Sequence, residues 1–173
     1  WNHLFSNQLF LNTTATYSQY NFSLFNESYS RYATADDETE ENFYASYNSG
    51  IQDYGLKLDF DYYLNNGHSL KFGANYIYHI FQPEAFNFEA DFEADFDQPD
   101  TKPIYGNEFS VYIEDEFEPF EKLKVNAGLH ASAFRVREEF YPSFQPRISA
   151  RYLVSNKLSF KASYAEMAQF LHL

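Results

Sequence analysis

The residues best equipped for chemistry are carboxylates. Phe86-Asn87-Phe88-Glu89-Ala90-Asp91-Phe92-Glu93-Ala94-Asp95-Phe96-Asp97 holds a short tandem, Phe88–Asp91 and Phe92–Asp95, in which Phe or Ala alternates with an acid or amide. In an extended chain Glu89, Asp91, Glu93, Asp95 and Asp97 share one face. Such a ladder of hard oxygens can hold Ca²⁺ or draw in a cationic substrate. The plainer reading is a solvated hairpin edge whose charges keep a second chain from pairing. The turn glycine and loop spacing of an EF-hand are missing, so that plainer reading is preferred. At a helical period Phe88, Phe92 and Phe96 would line one face instead, but the unbroken alternation favours a strand. A second acidic run, Asp36-Asp37-Glu38-Thr39-Glu40-Glu41, is expected to be a mobile surface loop.

Other chemistries find little support. His3, His68, His79, His130 and His172 are scattered without metal-ligand spacing. His130 and Ser132 share a face, but a nucleophile needs a base oriented by a third group, and none is evident. No catalytic or cofactor-binding residue is therefore assigned, and no enzymatic activity is expected. The absence of cysteine excludes disulfides, thiolate metal sites and thiol nucleophiles. A formal net charge of −13 argues against a nucleic-acid partner, which would call for a basic patch.

These side chains need a scaffold, and its pattern is unusual. Seven long strands are expected at Gln8–Phe22, Ala45–Tyr63, Ser69–Phe81, Ile104–Phe117, Leu123–Phe134, Gln145–Val154 and Leu158–Ala165, with Trp1–Phe5 as the end of an earlier one. The connections Asn65–His68, Glu118–Lys122 and Ser155–Lys157 are short. Glu27–Tyr44, Gln82–Pro103 and Arg135–Phe144 are expected to be long loops. Each strand alternates at period two. One face carries Leu56, Leu58, Phe60, Tyr62, Leu70, Phe72, Tyr76, Tyr78, Phe109, Val111, Ile113, Leu123, Val125, Leu129, Ile148, Tyr152, Leu158, Phe160 and Tyr164. The other carries Lys57, Asp59, Asp61, Lys71, Glu108, Glu114, Glu116, Lys124, Arg147, Arg151 and Lys161. Asp115 falls on the apolar parity, beside the turn at Glu118, where a charge is tolerated.

Long strands with tight turns at one end and long loops at the other are the pattern of an outer-membrane β-barrel. The apolar face would meet lipid and the charged face the lumen. A Lys or Arg on the lipid side near the midplane costs about 2–4 kcal/mol, which explains a face free of charge. Tyrosines near the strand ends fit the two interfacial girdles. A mean hydropathy of −0.55 is compatible with this, because only every second residue need be apolar.

Several stretches resemble TonB-dependent outer-membrane receptors. They are Trp1-Asn2-His3-Leu4-Phe5-Ser6-Asn7 with Leu9-Phe10, then Tyr17-Ser18-Gln19-Tyr20, then Tyr112-Ile113-Glu114-Asp115-Glu116. Further on come Gln145-Pro146-Arg147-Ile148-Ser149-Ala150-Arg151-Tyr152 and Leu158-Ser159-Phe160-Lys161-Ala162-Ser163-Tyr164. The resemblance covers nearly the whole chain and implies an all-β antiparallel meander within a roughly 22-stranded plugged barrel. It implies residues 1–173 to be a partial barrel domain, without the plug and the remaining strands. The implied function is uptake of a scarce nutrient: a metal chelate, haem, a vitamin or an oligosaccharide. The implied partners are outer-membrane lipid, a plug domain, the TonB complex, an unidentified nutrient ligand and, for some members, a surface lipoprotein. The competing reading is a soluble or surface-attached β-sheet binding module of adhesin type.

Overall fold

The computed structural model describes residues 1–33, 38–64, 67–90 and 102–170. They form one antiparallel sheet of eight strands in strict sequence order. The strands are β1 (Asn2–Leu4), β2 (Leu9–Ala33), β3 (Glu38–Tyr63), β4 (His68–Ala90), β5 (Ile104–Phe120), β6 (Leu123–Val136), β7 (Glu139–Ser155) and β8 (Leu158–Ala165). The stretch at Trp1–Phe5 is indeed a strand, β1, paired with β2.

Most of the described residues in two of the expected long loops are strand instead. Glu27–Ala33 and Glu38–Tyr44 continue β2 and β3 in unbroken register, from Glu27 opposite Tyr44 to Ala33 opposite Glu38. Glu38–Glu41 thus belongs to a strand, contrary to the loop expected there, while Asp36 and Asp37 lie outside the described residues. At the other site, Arg135–Phe144 pairs across a turn at Arg137-Glu138, with Val136 opposite Glu139. The third expected loop is strand as far as Ala90. The reason is the backbone's own demand: once two strands are registered, continuing the ladder satisfies each N–H and C=O.

The prolines in these strands sit where the ladder can spare a donor. Pro142 and Pro146 sit in β7 at the same parity. The carbonyl of Pro146 accepts from Glu166 N at 3.0 Å, so that side of β7 faces β8. The β8 ladder ends with Ala165 opposite Arg147, so the donors missing at Pro146 and Pro142 fall at its end and beyond it. Pro119 lies in the irregularity between Phe117 and Phe120. Pro83 lies opposite the register shift between Asn48 and Gly50. Proline in a sheet is confined to such edges and bulges. At the opposite pole, Gly67 takes φ +78° in the β3–β4 turn, a conformation glycine reaches without strain.

The sheet is a single layer. Each strand contacts only its neighbours in sequence, and among the described residues no large side chain is fully buried. The apolar face lies open: Leu56, Phe109, Val111, Ile113, Leu129, Ile148, Leu158 and Phe160 are 43–64% exposed. The buried polar side chains His79, Ser132 and Gln145 lie instead on the charged parity, with Phe134. A water-soluble sheet has the reverse arrangement, with its apolar side covered.

The strands also have more length than a membrane needs. β2 has 25 residues, or about 80 Å at about 3.3 Å per residue. A tilted strand crosses the hydrocarbon in about 9–11 residues, so β2, β3 and β4 run well beyond one crossing.

Candidate functional site

The charged face is organised by cross-strand register. Lys71 stands opposite Asp61 and pairs with it at 3.8 Å, while Lys57 pairs with Asp59 at 3.0 Å along β3. Lys124 reaches Glu116 at 2.7 Å. These pairs are partly exposed, so each contributes little to stability by itself. Arg151 stands between Lys124 and Lys161, directly opposite both.

The hydrogen bonds Arg147–Glu114 and Tyr112–Asp59 each skip a strand, and a glycine permits each. Gly128 on β6 is opposite Glu114 on β5 and Arg147 on β7. Above it Arg147 Nη1 donates to Glu114 Oε1 at 3.0 Å. A Cβ at residue 128 would come within 2.6 Å of Glu114 Cγ and 2.9 Å of the Ile113 carbonyl oxygen. Gly73 on β4 is likewise opposite Asp59 and Tyr112. The Tyr112 hydroxyl passes over it to donate to Asp59 Oδ1 at 2.7 Å, and a Cβ there would lie 2.6 Å from the Tyr112 ring. Leaving out a side chain in the middle strand brings next-nearest strands into contact.

A third cluster gathers around His79. Its ring is 4% exposed, with Nδ1 at 2.8 Å from Asp53 Oδ1 and Nε2 at 3.7 Å from Glu108 Oε2. It stacks on Phe81 and meets Phe134 edge-on. This arrangement ties β3, β4, β5 and β6 together on the charged face. On the apolar face Asp115 is held by His68 Nδ1 at 2.7 Å, and His68 stacks on Phe117. On the long arms, the Tyr29 phenol is raised above its usual value, chiefly by its hydrogen bond to Glu40.

Of the residues singled out in the sequence, the structure brings together Lys57 with Asp59, Lys71 with Asp61, Glu114 with Arg147, and Glu116 with Lys124. Glu108 meets His79. No ion pair joins Arg151 or Lys161 to a described residue. Sequence reasoning missed His79, Asp53, Tyr112 and His68. The available signal was a glycine at the charged parity in β4 and again in β6. In the acidic segment, the backbone of Glu89 belongs to β4, opposite Tyr44. Asp91, Glu93, Asp95 and Asp97 lie outside the described residues, and no cluster of metal-ligating side chains occurs among the described residues. Ser132 Oγ accepts from Gln145 Nε2 at 3.0 Å, which occupies the hydroxyl with an amide rather than with a base.

Ion pairs, hydrogen-bonded aromatics and glycine crossings on one face, with a mainly hydrocarbon surface on the other, make a wall rather than a catalytic pocket. Comparison with known proteins agrees with that geometry. Residues 1–167 match the family described as TonB dependent receptor-like, beta-barrel. No curated protein matches the sequence. Among solved structures, the FrpB iron transporter from Neisseria meningitidis in its apoprotein form is 13% identical with a TM-score of 0.51, over 95% of this chain and 34% of that one. The ferric citrate transporter FecA in its unliganded form is 11% identical with a TM-score of 0.52, over 94% of this chain and 25% of that one. At such identities the likeness is one of fold. The chain spans about a third of the length of the first and a quarter of the second. It belongs to the TonB-dependent receptor β-barrel family, whose members are outer-membrane receptors and transporters rather than enzymes.

Proposed function

We propose that this sheet forms about a third of the wall of an outer-membrane barrel that takes up a scarce nutrient, with energy supplied through TonB. In this reading Leu56, Leu58, Phe72, Val111, Leu129 and their row-mates meet lipid. Asp59, Glu114, Arg147, Arg151 and the other charged residues face the lumen and the plug domain. The observation that carries it is the uncovered Leu/Phe/Val face of a single-layer sheet. A contiguous apolar surface on that scale is not left in water, and a barrel in lipid needs it.

The wall's contribution is mechanical and electrostatic. Registered ion pairs and glycine crossings stiffen the lumen side. The long arms of β2–β4, standing beyond the membrane on the outer side, are the surface that captures ligand. The ligand classes consistent with the family are a metal chelate, haem, a vitamin or an oligosaccharide. The metal chelate comes first, since the transporters of like fold handle iron and ferric citrate.

The test is uptake by cells carrying the intact receptor with and without TonB. Loss of TonB is expected to abolish concentrative uptake of the ligand while leaving surface binding intact. Uptake that persists at the same rate without TonB would overturn the transport reading.

A further inference from the structure

Two arginines and a lysine come together at the loop end of β5 and β6, and one of them, Arg135, stands on the apolar parity, where the strands below carry no Lys or Arg. A cavity of about 600 Å³ lies at the loop end of β5 and β6, between Lys102, Tyr105, Asn107, Phe109, Arg135 and Arg137. Arg135 is opposite Asn107 on β5 and Phe140 on β7, so it shares the face of Val111 and Leu129. It follows Leu123, the first residue of β6, by twelve residues, just past the roughly 9–11 that a tilted strand spends in hydrocarbon. Arg137 is one step higher, in the β6–β7 turn.

The cavity has the chemistry of a phosphate-bearing headgroup site. Arg135 and Arg137 make no ion pair among the described residues, and both are exposed. Among the described residues no carboxylate lines the cavity, although Glu138 adjoins Arg137 in the turn. Asn107 Oδ1 is taken up by the Tyr76 hydroxyl at 2.8 Å, which leaves the amide N–H₂ of Asn107 to donate. Tyr78 and Tyr105 stack beside it at 6.1 Å, and Tyr105 and Phe109 are 51% and 47% exposed. Guanidinium groups bind phosphate with paired donors, and aromatic rings border acyl chains at the interface.

We propose that Lys102, Arg135 and Arg137 form a binding site for the phosphorylated headgroup of an outer-leaflet lipid, with Tyr105 and Phe109 against its acyl chains. A chain of net charge −13 would otherwise repel an anionic leaflet, and this site gives it a fixed point of attachment. The inference rests on the wall reading above, with the long arms on the outer side.

The test uses the complete barrel that carries this segment, inserted in phosphatidylcholine bilayers and then released in mixed micelles with phosphatidylglycerol. Native mass spectrometry reads the lipid retained. The wild type is expected to retain phosphatidylglycerol over phosphatidylcholine, and Arg135→Gln/Arg137→Gln to bind it about 30-fold more weakly. Lys102→Gln/Arg137→Gln changes only residues outside the strand ladder and should show a similar loss, which guards against a folding defect. Unchanged retention in both variants would overturn the site, as would full displacement of the lipid by an equal concentration of inorganic phosphate, which would indicate a free-anion site. A barrel that never inserts into the bilayer would defeat the wall reading instead.

Discussion

Gly128 and Gly73 show how a missing side chain does structural work. Each stands in a middle strand under a contact between its two neighbours, Arg147 with Glu114 and Tyr112 with Asp59. Gly128→Val should displace Glu114 and press on the Ile113 carbonyl oxygen, costing about 1–3 kcal/mol as overpacking. Urea unfolding of the barrel in lipid checks this. Gly67→Ala differs in kind: nothing lies within 4 Å of the added carbon, and only the positive φ is strained. Its expected cost is about 1 kcal/mol. His68→Ala should strip Asp115 of its partner on the apolar face. A cost of about 1–3 kcal/mol is expected, and Asp115→Asn in the same background should recover part of it. If His68→Ala leaves stability unchanged, the pair is ornamental.

If the apolar face meets lipid, the strands should carry a depth-dependent signature of their own. Leu129 lies mid-way along β6 and Tyr152 lies opposite Leu123, beside the turn. Leu129→Arg should cost about 2–4 kcal/mol and Tyr152→Arg no more than about 1 kcal/mol. Equal penalties would mean that the face sees no hydrophobic slab. This alternation was open to view in the sequence because side-chain parity is a purely local property. Strand order and the tight connection at Gly67 were legible for the same reason. The ends of the hairpins were not. Pro142 falls in the expected loop Arg135–Phe144 although β7 runs through it, and only the stopping point of β8 reveals why β7 tolerates a proline there. The contacts over Gly73 and Gly128 were likewise hidden, because they join strands two apart, and no pattern within one strand records them. His79 was visible as a lone histidine, but Asp53 and Glu108 reach it only through the register of β3, β4 and β5.

The whole molecule is an open sheet, with β1 and β8 each paired on one side only. Open edges beside a bare apolar face make aggregation the expected fate of this 173-residue chain in plain buffer. Light scattering checks this: a monodisperse monomer without detergent would favour the adhesin-like alternative. In the intact barrel those edges would be closed by further strands, and the charged face would be enclosed with the plug. The central claim is that hydrocarbon covers the face bearing Leu58, Ala74 and Leu129. Spin labels at these positions, in the barrel reconstituted in a bilayer, test it most directly. Relaxation by dissolved oxygen should exceed relaxation by a water-soluble nickel chelate at all three, with the opposite order at Lys57 and Lys124. Labels at Leu58, Ala74 and Leu129 that respond chiefly to the nickel chelate, or to neither reagent, would contradict it.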